Sequence, residues 1–588
     1  MRKIDHIAEV VQSKFRAWED ARSEKTAKWE QYYRLWRCIE SEEDKTRSTE
    51  RSKIKIPATK GAIDAAFDNI YSMIFSRTPF FDVEGRTVEW MPRAEIIKQY
   101  LSYLFYKQKF PSQYAMFIKE MLLYGTGIGM VEITRDVVKH IEKRPRFDFA
   151  GLQIGSVVEV VEKEVIRPRF QPISIFDFFI DPSTEGIQEG EGCIVRSRKF
   201  LHELRAKQRK GIISGVEFLE DNGHTGDMDD ELEYRLGIGG MSNIGTDKRK
   251  VVLDYWGWMD EEDLEKAGYE GEIEDGGAEV HAIVCDGVCL KLAPNPLVTK
   301  ERPFVKDCFE EIPGEFYGIG IAEICEGPQR ALDATVRARL DNKAIAINQI
   351  FGINVKRLVP GQDLKVYPGK TFLVEGPVRE AIEQFRVADV TSGTYQEAIE
   401  YERYIQEASG ISKSLGGLPV KRGEMSATES QYIQAQQGMR IRALVKNMED
   451  NSLREIIRLY YQIILQFLDI PEVIKVTGEN GESINLTISP ESIAGDYEFI
   501  PLGTVALNEQ DKVNKLIQFL GMTANPVDAQ LVNRPLLLRK VYEGIFGSKD
   551  VDIAIRPVPQ DVALMNAGNI PNTGSPPAMP DETGVPNG

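Results

Sequence analysis

Cysteine is scarce in this sequence: Cys38, Cys193, Cys285, Cys289, Cys308 and Cys325 are the only six in 588 residues, too few for a disulfide framework. No uncharged apolar run approaches the roughly 18 residues of a membrane-spanning helix. The opening MRKIDHIAEVVQSKF has no apolar core of the kind a secretory signal carries. A cytoplasmic product with free thiols is therefore expected. Histidine is scarcer still, at five. The sequence has no Walker A pattern, no H-E-x-x-H and no G-x-S-x-G, so an ordinary hydrolytic enzyme finds little support. No catalytic residue, metal or cofactor is predicted. Positive charge is also in deficit, with 73 Lys and Arg against 91 Asp and Glu and a net charge of −18. That balance argues against a surface devoted to tight nonspecific nucleic-acid binding, which relies on clustered cations, but not against a protein that lets DNA slide past.

What is present is a long chain with ample material for large cores: 42% of residues are apolar, and the length suggests three or four domains. The stretch that organises it runs from Thr394 to Asp469. In GISKSLGGLPVKRGEM, Gly410, Gly416, Gly417, Pro419 and Gly423 fall within fourteen positions, which no regular element tolerates. Ser426 and Glu429 then form a capping box at a helix start. The helix meets no proline until Pro471, and Ile441, Leu444, Met448, Leu453, Ile456, Tyr460, Ile463 and Phe467 recur along one face. At 1.5 Å per residue the rod is roughly 60 Å long. Such a rod is the backbone of a large domain or a coiled coil. The loop before it carries Lys413, Lys421 and Arg422, which either solvate the loop or meet a polyanion.

Before that stretch, residues 3–44 predict a helix with an aromatic seam of Phe15, Trp18, Trp29, Tyr32, Tyr33 and Trp36. Further helices are expected over GAIDAAFDNIYSMIFS and from Pro92 and Pro111, each proline suiting a first turn. At YGTGIGMVEITRD the pattern turns to antiparallel strands, through QPISIFDFFIDP and CIVRSRKF; G-x-G-x-G here is a turn into a strand, since no βαβ unit follows. Helix returns over 201–218. The acidic Asp227, Asp229, Asp230 and Glu231 lack the calcium-loop pattern and predict a solvated loop. A second β block begins at KVVLDYWGWMD. Its His281, Cys285 and Cys289 are set apart by Asp286-Gly287, a two-residue hairpin turn, and have no fourth zinc ligand nearby.

The segment PGEFYGIGIAEICEGPQRALDATVRARLDNKAIAINQ predicts a short helix meeting a longer one at Gly327-Pro328. In the longer piece Leu332, Val336, Leu340 and Ala344 form a stripe, and Arg330, Asp333, Arg337, Arg339, Asp341 and Lys343 occupy other faces. That arrangement suits either a solvated helix or one packed beside identical neighbours in a ring. Residues 351–390 are β-like, VIKVTGENGESINLTI is a hairpin, YEFIPLG is a strand, and helix is expected over 507–547, broken at Asn525-Pro526. The remainder, rich in Pro, Gly and Asn, predicts disorder.

Three stretches carry a resemblance: QPISIFDFFIDP (171–182), RPFVKDCFEEIPGEFYGIGIAEICEGPQRALDA (302–334) and GISKSLGGLPVKRGEMSATESQYIQAQQ (410–437). In this order the chain resembles the portal, or head-to-tail connector, proteins of tailed bacteriophages, particularly podovirus-like ones. The resemblance implies an α+β portal fold with a mostly helical wing and crown, a helical stem and a small β-rich clip. It implies a wing over 1–315, a first stem helix over 316–350 that carries Arg330, Arg337, Arg339 and Lys343, a clip over 351–390 and a second stem helix over 391–409. A tunnel loop over 410–425 follows, then the long wing helix and hairpin over 426–504, a crown over 505–556 and a disordered tail over 557–588. It further implies a dodecameric homo-oligomer at one capsid vertex of the virion, assembled in the host cytoplasm. That ring would pass double-stranded DNA without reading sequence and dock the terminase large subunit, a tail adaptor, and capsid and scaffolding proteins. Two competing readings remain: a packaging-associated ATPase or nuclease, and a monomeric tail adaptor or scaffold. An acidic ring suits translocation, because it repels the one charge per about 1.7 Å that duplex DNA presents.

Overall fold

The computed structural model describes residues 2–40, 42–48, 51–147, 153–219, 249–274, 276–347, 350–365, 367, 370–385, 391–411, 439–468, 472–477, 483–504, 516–517, 519–522 and 534–546. The chain divides into two compact units, one of residues 1–476 and 484–504, the other of residues 477–483 and 505–588. In the second, helix Arg534–Phe546 is described. Mixed helix and strand make the protein α+β.

The first unit is built around one helix. Helix α1 (Asp5–Arg37) buries Trp18, Trp29 and Tyr32 of the aromatic seam and ends at Cys38, whose left-handed backbone returns its N–H to Arg34. Helices α2 (Ala58–Ile74), α3 (Met91–Lys107) and α4 (Phe110–Tyr124) follow, the last two with proline in the first turn as expected. Helix α4 buries most of its surface: Phe110, Tyr114, Phe117, Ile118, Met121 and Leu122 have no exposed surface, and Ser112, Met116 and Lys119 leave one narrow strip to solvent.

Strand β1 (Phe81–Gly85) pairs across most of the chain with β14 (Tyr497–Pro501), which follows β12 (Glu472–Thr477) and β13 (Ser483–Ile488) in sequence. After α4 the chain enters a long antiparallel ribbon, β2 (Thr126–Phe147) and β3 (Gln153–Ile173), whose base is completed by β9 (Phe304–Cys308) in the order β3-β2-β9. A five-stranded antiparallel sheet holds β4 (Phe178–Ile180), β5 (Gly192–Phe200), β6 (Arg249–Asp260), β7 (Gly277–Cys285) and β8 (Val288–Pro294) in that order. The first turns of α1 cover it with Ile7, Ala8 and Val11.

Several expectations are corrected. QPISIFDFFIDP is not continuous strand: a 3-10 turn, Ile175–Asp177, interrupts it. There the carbonyls that a ladder would have used accept from Arg22 instead, at 2.7 Å to Ile175, 2.5 Å to Phe176 and 2.7 Å to Phe178. Helix from 201 stops at Arg209, because Gly211 and Gly215 adopt left-handed conformations, and only a 3-10 turn, Val216–Phe218, follows. A helix not anticipated, α6 (Glu261–Ala267; α5 is Leu201–Arg209), sits inside the second β block. The acidic loop with Asp227, Asp229, Asp230 and Glu231 lies outside the described residues. The Asp286-Gly287 hairpin is as expected, both residues at positive φ. His281 stacks on Trp256 at 3.9 Å and lies 2.6 Å from Asp254, while Cys285 and Cys289 are buried free thiols. Among the described residues no group of three His, Cys, Asp or Glu converges as metal ligands would.

Candidate functional site

Two glycine-rich segments lock together where the sheet meets the next helix. Gly125, at φ 95°, closes α4, and a Cβ there would meet the Gly318 carbonyl oxygen at 2.1 Å; one on Gly320 would meet the Gly125 nitrogen at 2.6 Å. The contact is sealed by the Gly318 N–H donating to Thr126 Oγ1 (2.9 Å) and the Phe309 N–H donating to the Gly125 carbonyl (3.0 Å). This close approach of backbones is what YGTGIG and YGIGIA are for, beyond the turn expected of the first.

From that lock emerges α7 (Ile321–Ile347), one helix with Pro328 inside it rather than two meeting there. Proline costs the helix one hydrogen bond. Ile321, Ala322 and Cys325 before it and Leu332 and Val336 after it are all buried in the same core, and that packing outweighs the local break.

The polar side of α7 is largely occupied by the chain's own segment 44–59. Gln329 accepts from the Thr59 N–H and hydroxyl, both at 3.0 Å, and donates to the Ile56 carbonyl at 2.6 Å. Asp333 accepts the Ile56 N–H at 2.8 Å. Arg337 donates to the Ile54 carbonyl at 2.8 Å and pairs with buried Asp44 at 2.5 Å, and Asp341 takes the Ser52 N–H at 2.7 Å and Arg47 at 3.0 Å. Residues 329, 333, 337 and 341 are one stripe at four-residue spacing, so a side that could have faced an identical neighbour binds residues from between α1 and α2 and from the first turn of α2 of the same chain. Burial raises the Asp333 carboxyl above its ordinary range.

The other basic residues of α7 stand apart from this stripe. Arg330 is exposed and pairs with Glu326 at 2.5 Å. Arg339 lies over the ring of Tyr395, 5.5 Å from its centroid. Lys343 is exposed, as are Ala344 and the apolar Ile345 and Ile347.

Between α7 and its partner α8 (Thr391–Ser409) lies a small insert. Its strands β10 (Ile350–Ile353) and β11 (Ile382–Phe385) pair antiparallel, and Leu358 bridges to Val374. Among its described residues only Leu358 and Ala381 are buried hydrophobics, whereas Val355, Leu364, Tyr367, Leu373, Val378 and Phe385 are exposed. Helix α8 turns Ala398 and Ile405 inward and presents Tyr395, Ile399 and Tyr404 outward. Among its described residues the insert thus shows solvent an apolar surface with almost no core beneath it, and Tyr395, Ile399 and Tyr404 add to that surface on α8.

Helix α8 ends at Gly410, at φ 71°. Lys413, Lys421, Arg422, Ser426 and Glu429 fall outside the described residues. The chain is described again as α9 (439–448), beside a cavity of about 220 Å³ lined by Ile70, Phe309, Ile411, Ile441 and Leu444. The expected uniform rod is interrupted by a π-helical turn, Glu449–Leu453, before α10 (Arg454–Phe467). Glu449 and Ser452 are fully buried in that turn. Glu449 accepts the Thr504 N–H at 2.8 Å and its hydroxyl, and Ser452 bonds Asp307 and Tyr114. Burial raises Glu449 and pushes Asp307 up to about 7.

No helix among the described residues is long and apolar enough to cross a membrane. A search of curated proteins finds no match. The family model for the phage SU10 portal protein matches residues 150–550, a span that takes in the five-stranded sheet, α7, the insert, α8 and α10. The chain therefore belongs to the phage SU10 portal protein family and is a portal protein of a tailed bacteriophage.

Proposed function

We propose that copies of this chain close into a ring, a dodecamer, at one capsid vertex, forming the channel through which double-stranded DNA is packaged and ejected. Helices α7 and α8 form the stem, the insert is the clip, and residues 410–425 are the tunnel loop. Residues 1–315 and 426–504 make up the wing and 505–556 the crown, and the tail from 557 is disordered. The clip and lower stem dock the terminase large subunit during packaging and a tail adaptor afterwards. Capsid and scaffolding proteins meet the wing, and assembly takes place in the host cytoplasm. The chain itself performs no catalysis.

The observation that carries this reading is the lack of a core among the insert's described residues. Six large apolar residues exposed over two buried ones cannot order a segment of that length in water, because too little apolar surface is removed to offset chain entropy. Neighbouring copies of the same insert, side by side, supply the missing burial. An acidic ring supports passage of DNA over capture, since it repels phosphates and leaves any contact to a few cations in the loop.

Electron microscopy of the purified chain seen end-on tests the proposal. Annular particles with a central hole wide enough for a duplex are expected; solid or monomeric particles at micromolar concentration overturn it in favour of an adaptor or scaffold. ATP hydrolysis by the purified chain alone would instead favour a packaging enzyme.

A further inference from the structure

Asp254 on β6, His281 on β7 and Lys291 on β8 stand on one face of the five-stranded sheet. In the antiparallel register Asp254 lies opposite Ile283, Ile283 opposite Lys291, and His281 opposite Trp256. Residues two apart on a strand share a face, so His281 sits one step along from the row Asp254–Ile283–Lys291 and reaches diagonally to both of its polar ends. His281 Nε2 is 2.6 Å from Asp254 Oδ1, and Lys291 Nζ is 3.1 Å from His281 Nδ1. A carboxylate only accepts, so Nε2 carries the imidazole proton and the Nδ1 lone pair is left facing Lys291. The Trp256 ring, stacked 3.9 Å away at 16° to the imidazole, holds its plane.

The surroundings of Lys291 work against its charge. Burial pushes the amine down from its ordinary range; Asp254 opposes that shift, and the positive charges of Arg135 on β2 and Lys207 on α5 add to it. Yet Lys291 is only half-buried, on the edge strand of the sheet. Lys266 and Lys300 are the contrast. Both are exposed, and hydrogen bonds from Glu262 and Glu274 hold their ammonium groups above the ordinary range. A nucleophile, a base within hydrogen-bond reach and a third group that orients the base is the arrangement that activates weak nucleophiles, and a lysine among other cations is activated further.

We propose that Lys291 is a nucleophilic amine and a site of covalent acylation, with His281 as its base and Asp254 as the group that orients that base. The acyl donor is a carboxylic thioester. The Lys291 nitrogen attacks the thioester carbonyl; the N–C bond forms, the C–S bond breaks and the sulfur leaves as thiolate. The proton released by the nitrogen passes to His281 Nδ1, while Asp254 balances the imidazolium until the proton is returned to solvent or to the thiolate. The product is a neutral amide on β8, so the sheet loses one positive charge beside Arg135 and Lys207. This site is separate from the stem, the insert and the glycine-rich loop, and it stands or falls independently of the ring.

Site-resolved mass spectrometry of the full-length chain, treated with the acetyl thioester of N-acetylcysteamine over a range of pH, tests the assignment. At neutral pH Lys291 is expected to acetylate at least about tenfold faster than Lys266 and Lys300, since a tenfold weaker hold on the proton gives about tenfold more free amine. Its rate is expected to level off at a lower pH than theirs. Lys207→Gln removes a flanking charge from a helix that buries only Leu204; it is expected to move that levelling pH upward and leave the plateau rate alone. His281→Gln keeps an amide to bond Asp254 but takes no proton, and is expected to lower the plateau rate at least about tenfold, with Lys266 and Lys300 unchanged. Where His281→Gln also lowers the melting temperature, the unmodified and Lys207→Gln chains still decide. Lys291 reacting no faster than the two surface lysines, or a profile indifferent to Lys207, overturns the proposal and leaves the three groups as packing of the sheet. A His281→Gln chain with full Lys291 reactivity overturns the roles given to His281 and Asp254.

Discussion

Ser452 Oγ, in the π-helical turn, lies 2.7 Å from Asp307 Oδ2 of β9, both side chains buried. Ser452 also lies 3.1 Å from the Met448 carbonyl and 2.9 Å from the Tyr114 hydroxyl. A serine has one proton to donate and here two acceptors. When Asp307 is protonated it can donate to Ser452, whose proton then serves Met448; when Asp307 is ionised the proton goes to the carboxylate. The charge state of one buried acid thus selects the hydrogen bonding of the turn through which the long helix changes phase.

That arrangement fixes the sign of a pH effect. Burial pushes Asp307 up to about 7 from an ordinary 3.8, with Glu311 adding to the rise and Ser452, the Cys308 N–H and Lys306 opposing it. The native state therefore holds a proton that the unfolded chain releases. Its stabilising contribution is complete below about pH 4, declines between about pH 4 and 7, and by pH 8 has fallen by up to about 4 kcal/mol. Asp307→Asn removes the ionisation but keeps the volume, while Glu449, also raised, is unchanged. The melting temperature of D307N minus that of the unmodified chain is expected to rise from pH 5 to pH 8. Parallel profiles would refute the assignment.

The basic residues of α7 divide into two kinds. Arg337 and Asp44 are buried together, and Lys55 also pairs with that carboxylate. Removing one partner of a buried pair costs about 3 kcal/mol, because the other charge remains. Arg337→Ala is expected to release segment 44–56 from the helix, read as new proteolytic cleavage there. Arg330 is exposed and pairs within its own helix, and such pairs contribute at most about 1 kcal/mol. Arg330→Ala should leave the digestion pattern unchanged. Equal effects of the two substitutions would mean that burial does not separate them.

How far the sequence anticipated this structure depends on the range of the interaction. Prolines at first turns located α3 and α4, and Asp286-Gly287 located the β7–β8 turn, because each signal is complete within a few residues. The π turn was also written locally, although easily passed over: the apolar stripe steps by three or four residues except from Met448 to Leu453, where it steps by five. Segment 44–59 against α7 and β1 against β14 join residues hundreds of positions apart, and no local pattern reports such pairings. Arg337 read as one more charge on a helix face for that reason. The glycines of YGIGIA were visible, but their purpose, contact with Gly125, required both strands of backbone in place.

The glycine-rich sequence between α8 and α9 leads to a prediction about transport. Lys413, Lys421 and Arg422 are the cations of the glycine-rich stretch 410–425, and in the proposed ring they repeat around the axis. Contacts to phosphate from such side chains carry no sequence information and weaken with salt. Replacing all three with glutamine is expected to leave assembly intact and to reduce DNA packaging or the retention of packaged DNA. Unchanged packaging and retention would reduce these residues to solvating charges.

Helix α8 allows assembly to be separated from folding. Ile399 and Ile405 lie on the same helix, yet Ile399 is 49% exposed and Ile405 only 2%. A glutamate at 405 must be buried without a partner, which costs several kcal/mol and threatens the fold. A glutamate at 399 meets water in the single chain, where surface changes usually stay within about 0.5 kcal/mol. In the proposed ring, however, the outward face with Tyr395, Ile399 and Tyr404 would be covered by the next copy, and the same glutamate would be desolvated at every interface. Ile399→Glu is therefore expected to give a folded chain, with an unaltered melting temperature at low concentration, that no longer assembles. Ile405→Glu is expected to lower the melting temperature whether or not rings form. If Ile399→Glu assembles normally, the exposed face of α8 is not the contact between copies, and the apolar residues of the insert must hold the ring without it.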